Sequence, residues 1–182
     1  ILFWLCICSA FAAPSERPIV PTEGVASVDN SNSIWLNPAN LGLHSNPSRI
    51  LLLRANTDGQ QDLSYAGKTG PLGVGLRFYN GEEGTWWTST TGLSLRLDER
   101  IYFGTQLAWQ APEYDENFYT WDMGLSWRPT RWMGVSGVVG NLGTNNEPLS
   151  IAEFYRAGLS FNLYEGRLLF NSDYLYTGEG PL

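Results

Sequence analysis

Tyr119-Thr120-Trp121-Asp122-Met123-Gly124-Leu125-Ser126-Trp127-Arg128 alternates large apolar side chains with small, polar or charged ones, position by position. Successive side chains of an extended chain point to opposite faces. This stretch therefore predicts a strand with Tyr119, Trp121, Met123, Leu125 and Trp127 on one side, and Thr120, Asp122, Gly124, Ser126 and Arg128 on the other. The pattern recurs on both sides of it. Leu72, Val74, Leu76 and Phe78 oppose Gly73, Gly75, Arg77 and Tyr79; Ile101, Phe103, Leu107 and Trp109 oppose Tyr102, Gly104, Gln106 and Gln110. Tyr155, Ala157, Leu159, Phe161 and Leu163 oppose Arg156, Gly158, Ser160 and Asn162. Strands are expected near 49–56, 62–68, 71–80, 85–98, 100–110, 117–128, 131–141, 150–164 and 166–177.

Alternation does not identify the medium that the apolar side meets, because a soluble sandwich alternates too. Four observations favour lipid. Several segments reach the ~9–11 residues that a tilted membrane strand needs. Connections alternate between tight ones (67–71, 98–100, 128–131, 164–166) and longer ones (56–61, 80–84, 111–116, 141–149), as short periplasmic turns and longer external loops do. The longer loops hold Asp58, Glu82, Glu83, Glu113, Asp115, Glu116 and Glu147 without Lys or Arg, whereas Lys68, Arg100, Arg128, Arg131 and Arg167 flank the tight turns. Aromatics fall in two rows, with Trp86, Trp87, Trp109, Tyr119, Trp121, Tyr174 and Tyr176 towards the long loops and Phe103, Trp127 and Trp132 towards the tight turns. Of these, Trp86, Trp87, Trp109, Trp121, Trp127 and Trp132 are the expected membrane-interface residues.

The charged or amide side chains Arg77, Arg96, Gln106, Asp122, Arg156 and Asp173 fall on the polar face and are expected to line an interior. On a lipid face a basic one would cost ~2–4 kcal/mol near the midplane. Glu153 is the awkward residue, since it shares the parity of Tyr155. The expected fold is an all-β, antiparallel up-and-down transmembrane β-barrel. About nine strands are visible, whereas single-chain bacterial barrels use even numbers. A piece cut at both ends, with an open edge, is therefore expected.

Residues 1–12 read as a signal peptide. Ile1 to Ala10 is apolar and too short to span a bilayer, and Ala10-Phe11-Ala12 places small residues at −3 and −1 of a cleavage site. Because the chain opens on Ile1, a basic leader is expected upstream. Cys6 and Cys8 both lie in this segment, so the processed chain has no thiol for a disulfide or metal site. Export through the inner membrane to a bacterial outer membrane follows as the expected localisation. Residues 13–48 are rich in Pro, Ser and Asn and read as a periplasmic linker with one structured island at 33–42, where Ser33 is placed to cap a helical turn and Pro38 disfavours helix at Asn37. Residues 49–182 are the barrel strands. A net charge of −7 with no basic patch argues against nucleic acid as a partner.

The island Ser33-Ile34-Trp35-Leu36-Asn37-Pro38-Ala39-Asn40-Leu41-Gly42 resembles the WxNPAxL element of FadL-like outer-membrane barrels. That superfamily includes fatty-acid and aromatic-hydrocarbon channels and the PorV-like barrels of secretion systems. Asn141-Leu142-Gly143 is similar to a strand end that recurs in PorV-like members. The resemblance implies roughly fourteen strands around a lumen, with Asn37, Pro38 and Ala39 in an N-terminal plug; a plain turn before the first strand is the alternative reading. It implies passive transport of small hydrophobic molecules or, as in PorV-like members, docking of envelope protein partners. The inward Arg residues would meet a substrate carboxylate, or would pair with Asp122 and Asp173 in a closed lumen. Arg128-Pro129-Thr130-Arg131-Trp132 is similar to β-domains that precede SppA-type peptidases, which implies an accessory domain of a larger envelope protein.

No enzyme is expected, and no cofactor or metal. His44, the single histidine, has no obvious partner. No nucleophile elbow, zinc-binding helix motif or phosphate loop occurs. Glu113-Tyr114-Asp115-Glu116 offers oxygen ligands without the spacing of a calcium loop, and reads as a solvated loop.

Overall fold

The alternating stretches pair with one another in chain order. The structure, a computed structural model, describes residues 24–55, 60–81, 84–143, 152–163, 168–177 and 180–181. The expected signal segment 1–12, the loop acids Asp58, Glu82, Glu83 and Glu147, and the turn at 164–166 with Arg167 lie outside the described residues.

Nine strands form one sheet: β1 (Ser48–Ala55), β2 (Gln61–Thr69), β3 (Leu72–Gly81), β4 (Gly84–Asp98), β5 (Ile101–Pro112), β6 (Phe118–Thr130), β7 (Met133–Leu142), β8 (Phe154–Leu163) and β9 (Leu168–Thr177). A two-residue β10 (Gly180–Pro181) pairs with β9. The order is β1 to β10 without a crossover, and every pairing is antiparallel. The fold is thus an all-β, up-and-down meander, open at β1 and β10.

The connections depart from strict alternation at one place. Gly81 pairs with Gly84, so β3 and β4 are joined by residues 82–83 alone and not by the longer loop expected at 80–84. Gly84 takes φ +102°, which lets pairing run to the strand ends. Glu153 lies just before β8, outside the paired sheet, where Tyr155 Oη donates to its Oε2 (3.0 Å).

The two faces differ sharply in what covers them. Leu51, Leu53, Val74, Leu76, Leu95, Leu107, Leu125 and Leu159 project from the uncovered face, Leu53 being 74 % exposed. The polar face is covered by the segment that precedes β1. This segment contains a turn at Gly24–Val28, a helical turn α1 (Ser33–Leu36) and a 3₁₀ turn over Pro38–Gly42. Ser33 lies inside α1, and its Oγ donates to Asn30 O (2.7 Å). Asn32 takes the cap position instead, without a side-chain cap bond. Asn37 is extended (φ −158°, ψ 105°), as a residue before proline prefers, and its Oδ1 caps the 3₁₀ turn by accepting from Ala39 N–H (3.0 Å).

Ile34, Ala39 and Leu41 are 0 % exposed and Trp35 is 3 % exposed. The segment bonds to β2 through Lys68 and to β9 through Asp173. A flat sheet could not bring β2 and β9 to one short segment while burying it, so the sheet curls round it. Each large apolar side chain buried this way contributes ~1.5–3 kcal/mol.

Candidate functional site

Among the described residues, buried polar side chains gather on the covered face. It has two regions. Towards the tight turns lies the bed of segment 24–43; towards the longer loops lies a layer of paired polar side chains.

The bed is built on missing side chains. A Cβ on Gly75 would stand 2.5 Å from Trp35 Cζ2, and one on Gly73 2.8 Å from Leu41 Cδ2. On Gly104 it would overlap the Ala39 nitrogen and the Pro38 carbonyl, and on Gly124 the Asn37 Oδ1. Alternation puts all four glycines on the same face. Without side chains there, the segment's backbone and rings approach the strands directly.

Hydrogen bonds then hold the segment in register. Asn37 Nδ2 donates to Val25 O (3.2 Å) and to Ser126 Oγ (3.0 Å); Asn40 Nδ2 donates to Val25 O (2.9 Å). Ser126 Oγ donates to Asn40 Oδ1 and lies 2.6 Å from Ser136 Oγ. Ser94 Oγ donates to Ala39 O (2.7 Å), and Ser160 Oγ to Ala26 O (3.1 Å). The buried Lys68 ammonium donates to Asp29 O and Leu41 O, both at 3.0 Å. Buried polar groups are costly without partners, and these partners satisfy backbone atoms at the segment's turns. Asn37, Pro38 and Ala39 therefore lie against β5 and β6, in the middle of the covered face.

The polar layer centres on two carboxylates. Arg77 grips Asp62 with two bonds, Nε to Oδ1 (3.1 Å) and Nη2 to Oδ2 (3.0 Å), and lies over the Tyr79 ring. Asp122 accepts from Gln106 Nε2 and from Asn141 N–H (2.9 Å). The second bond explains a backbone irregularity. Asn141 has φ +60° beside a register shift between β6 and β7, a conformation that Asn tolerates better than most residues. The NLG stretch is thus a bulge fastened to a buried carboxylate.

Arg156 faces Asp173 at 3.8 Å, and Asp173 also accepts from Val25 N–H (2.9 Å). Arg96 departs from the expected lining. It has the right parity but is exposed, folding back on the Asp98 and Glu99 carbonyls (3.2 and 3.3 Å), because β4 bulges there on its way into a turn.

The aromatics divide as well. Trp87, Trp109, Trp121, Trp127 and Trp132 are exposed on the apolar face. Trp86 does not join them. Adjacent residues of a strand point oppositely, so Trp86 shares a face with Thr88 and Thr90; its Nε1 donates to Gln110 Oε1 (3.0 Å) and its ring meets Phe118 edge-on. The expectation of an interface position for Trp86 is corrected accordingly.

Asp62, Lys68, Asn40 and Ser126 were not singled out as site residues by sequence. For Asp62 a signal existed: a β2–β3 hairpin with a turn at Gly70-Pro71 places Asp62 on the face of Arg77. His44 has a partner after all, Asp29 Oδ2 at 3.2 Å, and both side chains are exposed.

At the long-loop rim Glu113 Oε2 accepts from Thr85 N–H (2.8 Å), and this bond holds its carboxyl below the ordinary carboxylate range. A depressed value means that the tether is complete above the unfolded group's pKa and is lost as pH falls through the folded one. The protection of the Thr85 amide from hydrogen exchange, taken relative to the unstructured rate at the same pH, is expected to hold at neutral pH and to fall only in acid. An equal acid-dependent fall in a Glu113→Gln variant would discount the ionised carboxylate as the cause.

Among the described residues no three His, Cys, Asp or Glu side chains gather as a metal site, and no helix is long and apolar enough to cross a membrane, which says nothing of strands. The geometry offers an open sheet with an uncovered apolar face, a packed polar face and a segment bound against it. Comparison with known proteins returns no matching family model, no matching curated protein and no matching solved structure.

Proposed function

We propose that this chain forms the wall of a FadL-like bacterial outer-membrane β-barrel that passes small hydrophobic molecules, with segment 24–43 as its plug. One observation carries the reading: the apolar side chains stand on the uncovered face, and the polar ones on the face that the chain covers with its own segment. In water, each exposed Leu or Trp would forgo the ~1.5–3 kcal/mol that burial brings. Against acyl chains the same arrangement is favourable. β4, β5 and β6 have 15, 12 and 13 residues, enough for a tilted crossing that needs ~9–11. Ile50 and Leu52 on β1 pair with Ala66 and Ser64, and Leu169 and Leu175 on β9 pair with Asn162 and Arg156, so all four share the parity of the covered face. They give the interior an apolar strip for a hydrophobic solute.

Leu107→Arg separates the lipid reading from a water-facing one. Leu107 lies in the middle of β5 and is 49 % exposed. In a bilayer the substitution is expected to cost ~2–4 kcal/mol; on a hydrated surface the change stays within about 0.5 kcal/mol. Unfolding in lipid vesicles measures it, and a near-zero value removes the membrane reading. Uptake of a hydrophobic dye into proteoliposomes holding the full-length gene product tests transport.

A second reading, a docking barrel in an envelope complex, is favoured by the tight filling of the interior by segment 24–43. It expects no uptake and a stoichiometric protein partner after mild detergent extraction.

A further inference from the structure

The tight turns β4–β5 and β6–β7 are neighbours at one end of the sheet, and they are stapled together. Arg100 Nη1 donates to Pro129 O (2.8 Å), and Arg128 N–H donates to Arg100 O (2.8 Å). Arg96 reaches over the first turn to the Asp98 and Glu99 carbonyls. These arginines bond to backbone carbonyls, and among the described residues no carboxylate lies within ion-pair distance of Arg96, Arg100, Arg128 or Arg131. The two turns thus carry three exposed arginines, Arg96, Arg100 and Arg131, against Asp98 and Glu99, in a chain whose net charge is −7. The Arg128 guanidinium is buried on the covered face, over Gly134, and lies apart from this surface. Trp127 and Trp132, each 48 % exposed, flank the patch on the apolar face, and Trp132 stacks on Phe161.

The opposite rim has the other sign. Glu113, Asp115 and Glu116 stand in the β5–β6 loop and outnumber Arg54 on that rim, and Arg77 there is taken up by Asp62. The molecule is therefore electrically polarised from end to end.

We propose that the stapled turns are a binding surface for the headgroups of anionic phospholipid. This rests on the membrane reading above and adds the leaflet chemistry to it. Charge and continuity argue for lipid. A guanidinium offers forked donors to phosphate oxygens, and the arginines sit directly beside apolar and indole surface, where headgroups meet acyl chains. An acidic protein would match the charge but not the adjoining apolar face. The acidic rim repels the same headgroups, so the charge pattern also orients the protein across a bilayer with unequal leaflets.

The test uses the full chain in phosphatidylcholine vesicles doped with brominated phosphatidylglycerol or, separately, brominated phosphatidylcholine, with quenching of tryptophan fluorescence as the readout. Stronger quenching by phosphatidylglycerol is expected. The preference should fall about fivefold for each arginine lost in Arg96→Gln and Arg131→Gln, and should fade in high salt. Arg54→Gln, at the other rim, should leave it unchanged. Circular dichroism in pure phosphatidylcholine checks that each variant is folded. Insertion with equal quenching by both lipids, or an equal loss with Arg54→Gln, overturns the proposal and leaves the membrane reading standing. Failure of the wild-type chain to insert into either vesicle removes both.

Discussion

Gly104→Ala is expected to dislodge segment 24–43 from the sheet. The new methyl group would overlap the Ala39 nitrogen and the Pro38 carbonyl, which are backbone atoms, so no rotamer change relieves it. Overpacking costs typically ~1–3 kcal/mol, and the upper end or beyond applies where only backbone can yield. The segment's other anchors, at Lys68, Ser94 and Ser126, are fixed to strands and oppose the shift. Proteolysis within 24–43 and hydrogen exchange at Ala39 should both accelerate, while the strand amides of β5 and β6 remain slow. Gly137→Ala is the control. Its Cβ would meet nothing nearer than Arg156 O at 3.9 Å, and replacing a strand glycine there should be neutral or stabilising by ~0.5–1 kcal/mol. If the two variants behave alike, close approach is not the reason for the glycine bed.

Asp62→Ala is expected to cost ~3–5 kcal/mol, because it strips a buried arginine of its two-pronged carboxylate partner. The Asp62 and Arg77 side chains are each about 10 % exposed, so water offers little compensation. Ser64 Oγ, which donates to Asp62 Oδ1 (2.9 Å), loses its acceptor as well. The pair itself contributes far less than this figure, since bringing both charges out of water offsets most of their attraction. Replacing both with apolar residues, Asp62→Leu with Arg77→Met, should therefore recover most of the loss. Chemical denaturation of the two single variants and the double variant measures the coupling. A double variant as unstable as Asp62→Ala would contradict this account of the pair.

Period-two patterning carried most of the sheet: strands, their two faces and the polar residues of the covered face follow from it because a pleated chain has two sides and no third choice. Its failures have physical causes. Trp86 and Trp87 cannot share a face, so grouping them by height in the strand overrode the rule that located everything else. Arg96 kept its parity but not its cover, since a bulge and a turn carry it to the rim. The β3–β4 link looked long because Gly81 and Gly84 resemble loop residues, whereas positive φ at Gly84 extends the pairing. The bed of segment 24–43 was legible only in part. Glycines at Gly73 and Gly75 signal close approach by something, but nothing local says that Trp35 and Leu41 are what approach. That information lies in contacts between distant stretches, which no short period encodes.

The reach of that segment also bears on the order of events during assembly. Each strand finds its partner next door in sequence, so the meander can zip up by short closures. The Val25–Asp173 bond spans 148 residues, and Asn37 to Ser126 spans 89. Such distant closures carry the largest entropic toll and come late. The stretch that precedes every strand of the sheet in sequence is thus the last to be seated, and refolding followed at Trp35 should lag behind the appearance of β-sheet signal.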